Sequence, residues 1–124
     1  MENTNALKLI KKIQSDLIAN GLVLDEIVTD LKKLREFALL EEKPVLVKGI
    51  RLTYEHLIAN NAFLISIPSD EPIEEEFFEE EMDQEPKNDL ESLQYLLSLF
   101  KDVDNKHNLS DLREYNAKMQ SFKA

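Results

Sequence analysis

The sequence contains no cysteine and no tryptophan, and only two of its 124 residues are glycine. A chain without cysteine forms no disulfide, no thiolate zinc site and no cysteine nucleophile. The opening residues, MENTNALKLIKKIQ, lack the uninterrupted apolar core of a signal peptide, and no apolar run approaches the roughly 18 residues of a membrane-spanning helix. These absences predict a cytoplasmic protein without a membrane partner.

The scarcity of glycine and of valine indicates the fold class. Twenty leucines stand against five valines, whereas a sandwich or barrel needs β-branched strands joined by many tight turns. Hydrophobic residues make up 43% of the chain, which is enough apolar surface to build a core. We therefore predict an all-α fold of about five helices in a compact bundle, with residues 1–124 forming a single helical domain.

The negative charge is concentrated in one stretch. The chain carries 25 acidic and 15 basic residues, a net charge of −10, and residues 67–88 alone contain ten of the acidic residues and one basic residue. Three of the four prolines also lie there, and proline disfavours helix. This composition predicts an irregular, solvated connector between a three-helix part, residues 1–66, and a helical hairpin, residues 89–124.

Four large apolar residues interrupt the acidic connector: Ile73, Phe77, Phe78 and Met82. Full burial of such a side chain is worth about 1.5 to 3 kcal/mol, so each is costly to leave in water. We expect some of them to pack on the helical body or on a partner. They are our predicted partner-binding residues.

Hydrophobic spacing and capping residues place two helices at the start of the chain. The first begins at Asn3 or Thr4 and stops at Gly21, because glycine closes a helix in the left-handed conformation. The apolar seam continues beyond Gly21, so a single long helix remains open as an alternative. Otherwise, the second helix runs from residue 24 or 25 to residue 40.

A third helix is predicted from Pro44, whose fixed φ suits a first turn, to Asn60. Gly49 inside it costs about 1 kcal/mol relative to alanine, which a close helix crossing would explain. The following run, AFLISIP, shows no helical period and is either an extended strand or a buried tail.

The C-terminal hairpin has two candidate caps. Asn88 stands three residues before Glu91 and resembles a capping box, and Ser110 is the predicted cap of the last helix. The last helix then places its apolar residues at three- and four-residue spacing, as one helix face requires. We expect the hairpin to cover residues 89–123.

The segment DVDNKHNLSDLRE, from Asp102 to Glu114, resembles an EF-hand calcium loop. Asp102 and Asp104 occupy positions one and three, and an aliphatic residue occupies position eight. The resemblance implies calcium ligation by the two aspartates. It departs at positions five, six and twelve, where Lys106, His107 and Arg113 replace an oxygen ligand, the turn glycine and the bidentate glutamate. We favour an ordinary Asp/Asn-rich turn, and expect no metal or cofactor.

The spacing of Arg51 and His56, in RLTYEH, resembles the R-x4-H signature of HEPN-type ribonucleases, which are helical bundles. The resemblance implies that Arg51 would stabilise the charge on the phosphorane and that His56 would act as general acid or base. The position after the arginine is Leu52, where the family often has a polar residue. The alternative is a surface ion pair between Arg51 and Glu55 beside a solvent-facing His56.

No glycine-rich phosphate loop, H-E-x-x-H motif or nucleophile elbow is present in the sequence. The lysine and arginine clusters are short, so nucleic-acid binding is not expected. The interpretation we favour is a small intracellular protein-interaction or structural module without catalysis, with a protein partner or as a homodimer. The alternative is a HEPN-like ribonuclease or toxin-type relative using Arg51 and His56.

Overall fold

The computed structural model describes residues 2–67 and 89–122, and five helices account for most of them. They are α1 (Thr4–Asn20), α2 (Leu24–Leu40), α3 (Pro44–Asn60), α4 (Leu90–Lys101) and α5 (Lys106–Ser121). The described residues include no strand. The all-α prediction is confirmed. In the AFLISIP run, Phe63 and Ile65 lie in the core, whereas Ile67 is exposed.

Local chemistry explains where the first three helices begin and end. The Asn3 side chain accepts hydrogen bonds from the amides of Asn5 and Ala6 and so caps α1. Gly21, at a φ of +72°, ends α1 and confirms the predicted break before α2. Pro44 opens α3, and Asn61 closes it in the left-handed conformation.

The two caps proposed for the C-terminal hairpin are wrong or displaced. Asp89, one residue after the predicted Asn88, caps α4 by accepting from the Ser92 amide. Asn105, not Ser110, caps α5 by accepting from the amides of residues 107 and 108. The last helix therefore begins five residues earlier than a cap at Ser110 would allow, because the Asn105 side chain accepts from the free amides at its start.

One hydrophobic core unites the helices. Helix α2 packs on α3, α3 on α5, α1 on α2 and α4, and α4 on α5. Each helix contributes the stripe that its three- and four-residue spacing predicts. The fully buried side chains of this core include Ile10, Ile13, Leu31, Leu34, Ile50, Leu57, Leu93, Leu96, Phe100, Leu112 and Tyr115.

Gly49 lies at a close crossing of α3 and α5, as predicted. An ideal Cβ built at Gly49 would stand 2.9 Å from Leu112 Cδ1 and 3.0 Å from Asn116 Oδ1. Real carbon atoms prefer separations of about 3.5 to 4.0 Å. The glycine therefore lets the two helices approach more closely than a side chain would permit.

Candidate functional site

The segment that resembles a calcium loop is a short helix connection. Only residues 102–105 lie between α4 and α5, so positions five to twelve of the presumed loop are helical. Asp104 accepts a 2.6 Å hydrogen bond from Lys43, which holds the pKa of that carboxyl below its usual value. The backbone carbonyl of Asp102 accepts from the Asn108 amide. In the described ranges, no three His, Asp or Glu side chains cluster as metal ligands would.

Arg51 forms the ion pair that its spacing from Glu55 suggests. Its guanidinium lies 3.3 Å from a Glu55 carboxylate oxygen, with 39% and 50% of the two side chains exposed. Exposed pairs of this kind on one helix contribute about 0.3 to 0.5 kcal/mol. The pair therefore holds Arg51 only weakly.

His56 is buried, and the expectation of a solvent-facing side chain is wrong. Only 6% of the residue is exposed, and its Nε2 accepts a 3.0 Å hydrogen bond from the Leu64 amide. The rings of Phe63 and Phe122 meet it edge-on at centroid distances of 5.5 and 4.9 Å. Burial lowers the pKa of His56, so the neutral form is favoured. The residues that cover it come from the tail after α3 and from the end of the hairpin.

The contacts of His56 leave it poorly placed for phosphodiester chemistry. The Leu64 N–H donates to Nε2, so that nitrogen is already occupied, and the Asn60 side-chain amide lies 3.3 Å from Nδ1. A general acid or base needs a ring nitrogen within hydrogen-bond reach of the substrate. Arg51 and His56 also line two different depressions of the surface. This arrangement gives the ribonuclease interpretation no geometric support.

The predicted partner-binding residues Ile73, Phe77, Phe78 and Met82 lie outside the described residues. The two parts of the described chain that flank these residues are joined by a hydrogen bond. The Asp89 amide donates to the Phe63 carbonyl at 2.7 Å. Their role in partner binding stays a prediction from sequence.

Polar side chains of α4 and α5 form a hydrogen-bonded cluster where the two helices pack together. The Tyr115 hydroxyl is fully buried, lies 2.9 Å from Ser92 Oγ and donates to the Ser92 carbonyl. Burial raises the pKa of Tyr115, so the phenol stays protonated. Nearby, the Tyr95 hydroxyl donates to Asp111. These hydrogen bonds satisfy polar groups that would otherwise be costly to bury.

A groove at the corner between α2 and α3 is the best candidate for a functional surface. We call it the α2–α3 groove; it has a volume of about 420 Å³ and is lined by Leu39, Glu42, Lys43, Pro44, Val47, Lys48 and Arg51. It is an open depression of the surface and not an enclosed cavity. Leu39 is 48% exposed, and the neighbouring Leu40 is 79% exposed.

Glu42 at the edge of this groove has an unusual backbone conformation. Its φ of +56° lies in the left-handed region, which costs a residue with a Cβ about 1 to 2 kcal/mol. The amides of Glu42 and Lys43 donate to the carbonyls of Leu39 and Ala38, which ends α2 and turns the chain toward Pro44. Glycine would meet the conformational need at lower cost.

The lining residues of the groove include more cations than carboxylates. Lys43, Lys48 and Arg51 line it, with Glu42 as the one lining carboxylate. Sequence reasoning missed this surface, because the residues come from two helices and the turn between them, and no local motif joins them. The exposed leucine pair at 39 and 40 is the one signal that could have drawn attention to it.

Comparison of the chain with protein-family models, curated proteins and solved structures finds no significant match. In the ranges 2–67 and 89–122, no helix combines the length and the apolar character that crossing a membrane requires.

Proposed function

We propose that this chain is a small, non-catalytic protein-interaction module that binds its partner through the α2–α3 groove. The observation that carries the proposal is the apolar groove itself, with Leu39 half exposed at its wall and Leu40 beside it. Exposed apolar surface in a depression is typical of protein-binding sites. A cytoplasmic location, expected from the cysteine-free composition, is part of the same proposal.

The chemistry of the other candidate residues supports a binding role over an enzymatic one. His56 and Tyr115 are buried in hydrogen bonds and ring contacts, and Asp104 is paired with Lys43. The α2–α3 groove contains no histidine, serine or aspartate among its lining residues. Its apolar lining residues are leucine, proline and valine, which can bind a partner by burial of apolar surface.

Affinity capture with matched variants tests the proposal. Leu39→Glu places a carboxylate in the groove, and Ile18→Glu places one at an exposed apolar position of α1 that is 81% accessible. We expect a partner captured from lysate by the native chain and by Ile18→Glu to be lost with Leu39→Glu. Capture of the same proteins by all three would contradict the proposal.

The acidic connector and the oligomeric state are separate parts of the proposal. We propose that Ile73, Phe77, Phe78 and Met82 add partner contacts, on the ground that large apolar residues are costly in water. If deletion of residues 70–85 leaves every captured partner in place at low salt, this part is wrong. Homodimerisation is also proposed, and a monomer mass by light scattering at micromolar concentrations and above would exclude it.

A further inference from the structure

The sign of the charges at the α2–α3 groove is opposite to the net charge of the chain. Three lining residues, Lys43, Lys48 and Arg51, are cationic, whereas the whole chain has a net charge of −10. On α2, Lys32 and Arg35 stand seven and four residues before Leu39, and the acidic Glu36 stands three residues before it. The helix face beside the groove therefore carries both signs, and the excess of cations is confined to the three that line the groove.

The groove also has an apolar centre, which a purely ionic partner would leave unused. Leu39, Pro44 and Val47 line the groove together with the cationic side chains. We propose that the partner of the α2–α3 groove is an acidic peptide segment carrying large apolar side chains, presented by another protein. This assignment rests on the proposed function and names the chemical class of the partner. The apolar side chains fill the centre, and the carboxylates face the three cations.

The cations can exchange their present partners at little cost. Lys43 pairs with Asp104, and Arg51 with Glu55, but 62% of Asp104 and 50% of Glu55 are exposed. Exposed ion pairs contribute little to stability. Lys48 makes no ion pair with any of the described residues. A partner carboxylate can therefore bind here without breaking a buried interaction.

A peptide fits this surface better than a nucleic acid does. Proteins that bind single strands stack bases on aromatic side chains. The residues that line the groove include no aromatic, and the nearby Tyr54 ring already faces Lys32 Nζ at 5.7 Å. A phosphate backbone would also leave Leu39 and Val47 without apolar contacts.

Fluorescence anisotropy with the full chain and the labelled peptide EEIEEFLEEF tests the assignment. The double variant Lys48→Glu, Arg51→Glu reverses two charges of the groove. Its matched control, Lys8→Glu with Lys11→Glu, makes the same change of net charge at exposed positions of α1. The control is needed because the chain and the peptide are both acidic, so general repulsion rises equally in both variants.

We expect the α1 control to bind the peptide slightly more weakly than the native chain, because of the added general repulsion, and the groove variant to bind at least about tenfold more weakly than the control. The milder Lys48→Gln, Arg51→Gln pair should give an intermediate loss, and circular dichroism checks that each variant is folded. Two control peptides should bind more weakly than EEIEEFLEEF. QQIQQFLQQF lacks the carboxylates that face the cations, and EEAEEAAEEA lacks the large apolar side chains.

Several results would overturn the assignment. They are equal losses in the two charge-reversed variants, unweakened binding of EEAEEAAEEA, tighter binding of a single-stranded RNA with the same variant sensitivity, or self-association that the groove variant abolishes. If the peptide binds neither the native chain nor the variant with residues 70–85 deleted, while Leu39→Glu still loses its captured partner, the partner class is wrong and the proposed function stands. If Leu39→Glu keeps every partner, the proposed function fails instead.

Discussion

Replacing Gly49 by alanine should destabilise the protein, although alanine is the better helix former. Helix propensity alone favours the variant by about 1 kcal/mol. Against this, the new Cβ would stand 2.9 Å from Leu112 Cδ1, about 0.6 Å inside normal carbon contact. Overpacking of a core costs about 1 to 3 kcal/mol. The balance of these two terms depends on whether the neighbours of Gly49 can move.

Both contacting atoms are the ends of side chains, and burial restricts their movement. Leu112 is fully buried, and Asn116 is 5% exposed. The Asn116 amide also donates a 3.3 Å hydrogen bond to the Val45 carbonyl, which a displacement would lengthen. We therefore take the upper half of the overpacking range, about 2 to 3 kcal/mol. After the gain in helix propensity, the expected loss in free energy of unfolding is about 1 to 2 kcal/mol.

Urea unfolding followed by far-UV circular dichroism measures this loss. For a slope near 2 kcal/mol/M, the midpoint should fall by about 0.5 to 1 M without a change of slope. Ala59→Gly, at an exposed position of the same helix, measures the propensity term alone. In a Leu112→Val background, which removes the Cδ1 contact but leaves the Asn116 contact, Gly49→Ala should be less destabilising than in the native chain. A midpoint for Gly49→Ala at or above that of the native chain would refute the reasoning.

Three further predictions follow from the caps and from the buried histidine. Glu42→Gly should stabilise the fold by about 0.5 to 1 kcal/mol because it relieves the left-handed conformation, whereas Glu41→Gly, at a right-handed position, should destabilise it in thermal unfolding. Asn105→Ala should cost about 1 kcal/mol in urea unfolding, while Ser110→Ala stays within about 0.5 kcal/mol; the reverse order would contradict the observed cap. Because the pKa of His56 is lowered on folding, its contribution is complete above the unfolded value of about 6.5 and is lost as the pH falls toward the folded pKa. The free energy of unfolding should therefore drop more between pH 7.5 and 5.5 in the native chain than in His56→Gln, and parallel profiles would refute this assignment.

The helix boundaries in the first half of the chain could be predicted because their causes are local. Asn3, Gly21, Pro44 and Asn60 mark the ends of helices through caps, φ preferences and missing donors that act within a few residues. The close crossing at Gly49 was also predictable, since a glycine inside a helix needs a reason. The prediction that Ser110 caps the last helix was wrong because Asn105, five residues earlier, can also cap a helix. The spacing of the apolar residues does not distinguish the two positions.

The environment of His56 could not be predicted, because the covering residues are distant along the chain. Phe63 and Leu64 follow the end of α3, and Phe122 follows the last helix. Helical spacing places His56 on a face but says nothing of what packs on that face. The α2–α3 groove was missed for a similar reason, since Leu39 and Arg51 meet only when the two helices pair.

The central claim is that the α2–α3 groove is the surface at which this protein binds a partner. Amide chemical-shift mapping on the 15N-labelled full chain, titrated with EEIEEFLEEF, tests this most directly because it locates the contact. We predict that the shifted amides cluster between residues 39 and 51. Shifts centred on α1, or on the tail that covers His56, would contradict the account, as would a titration that shifts no amide.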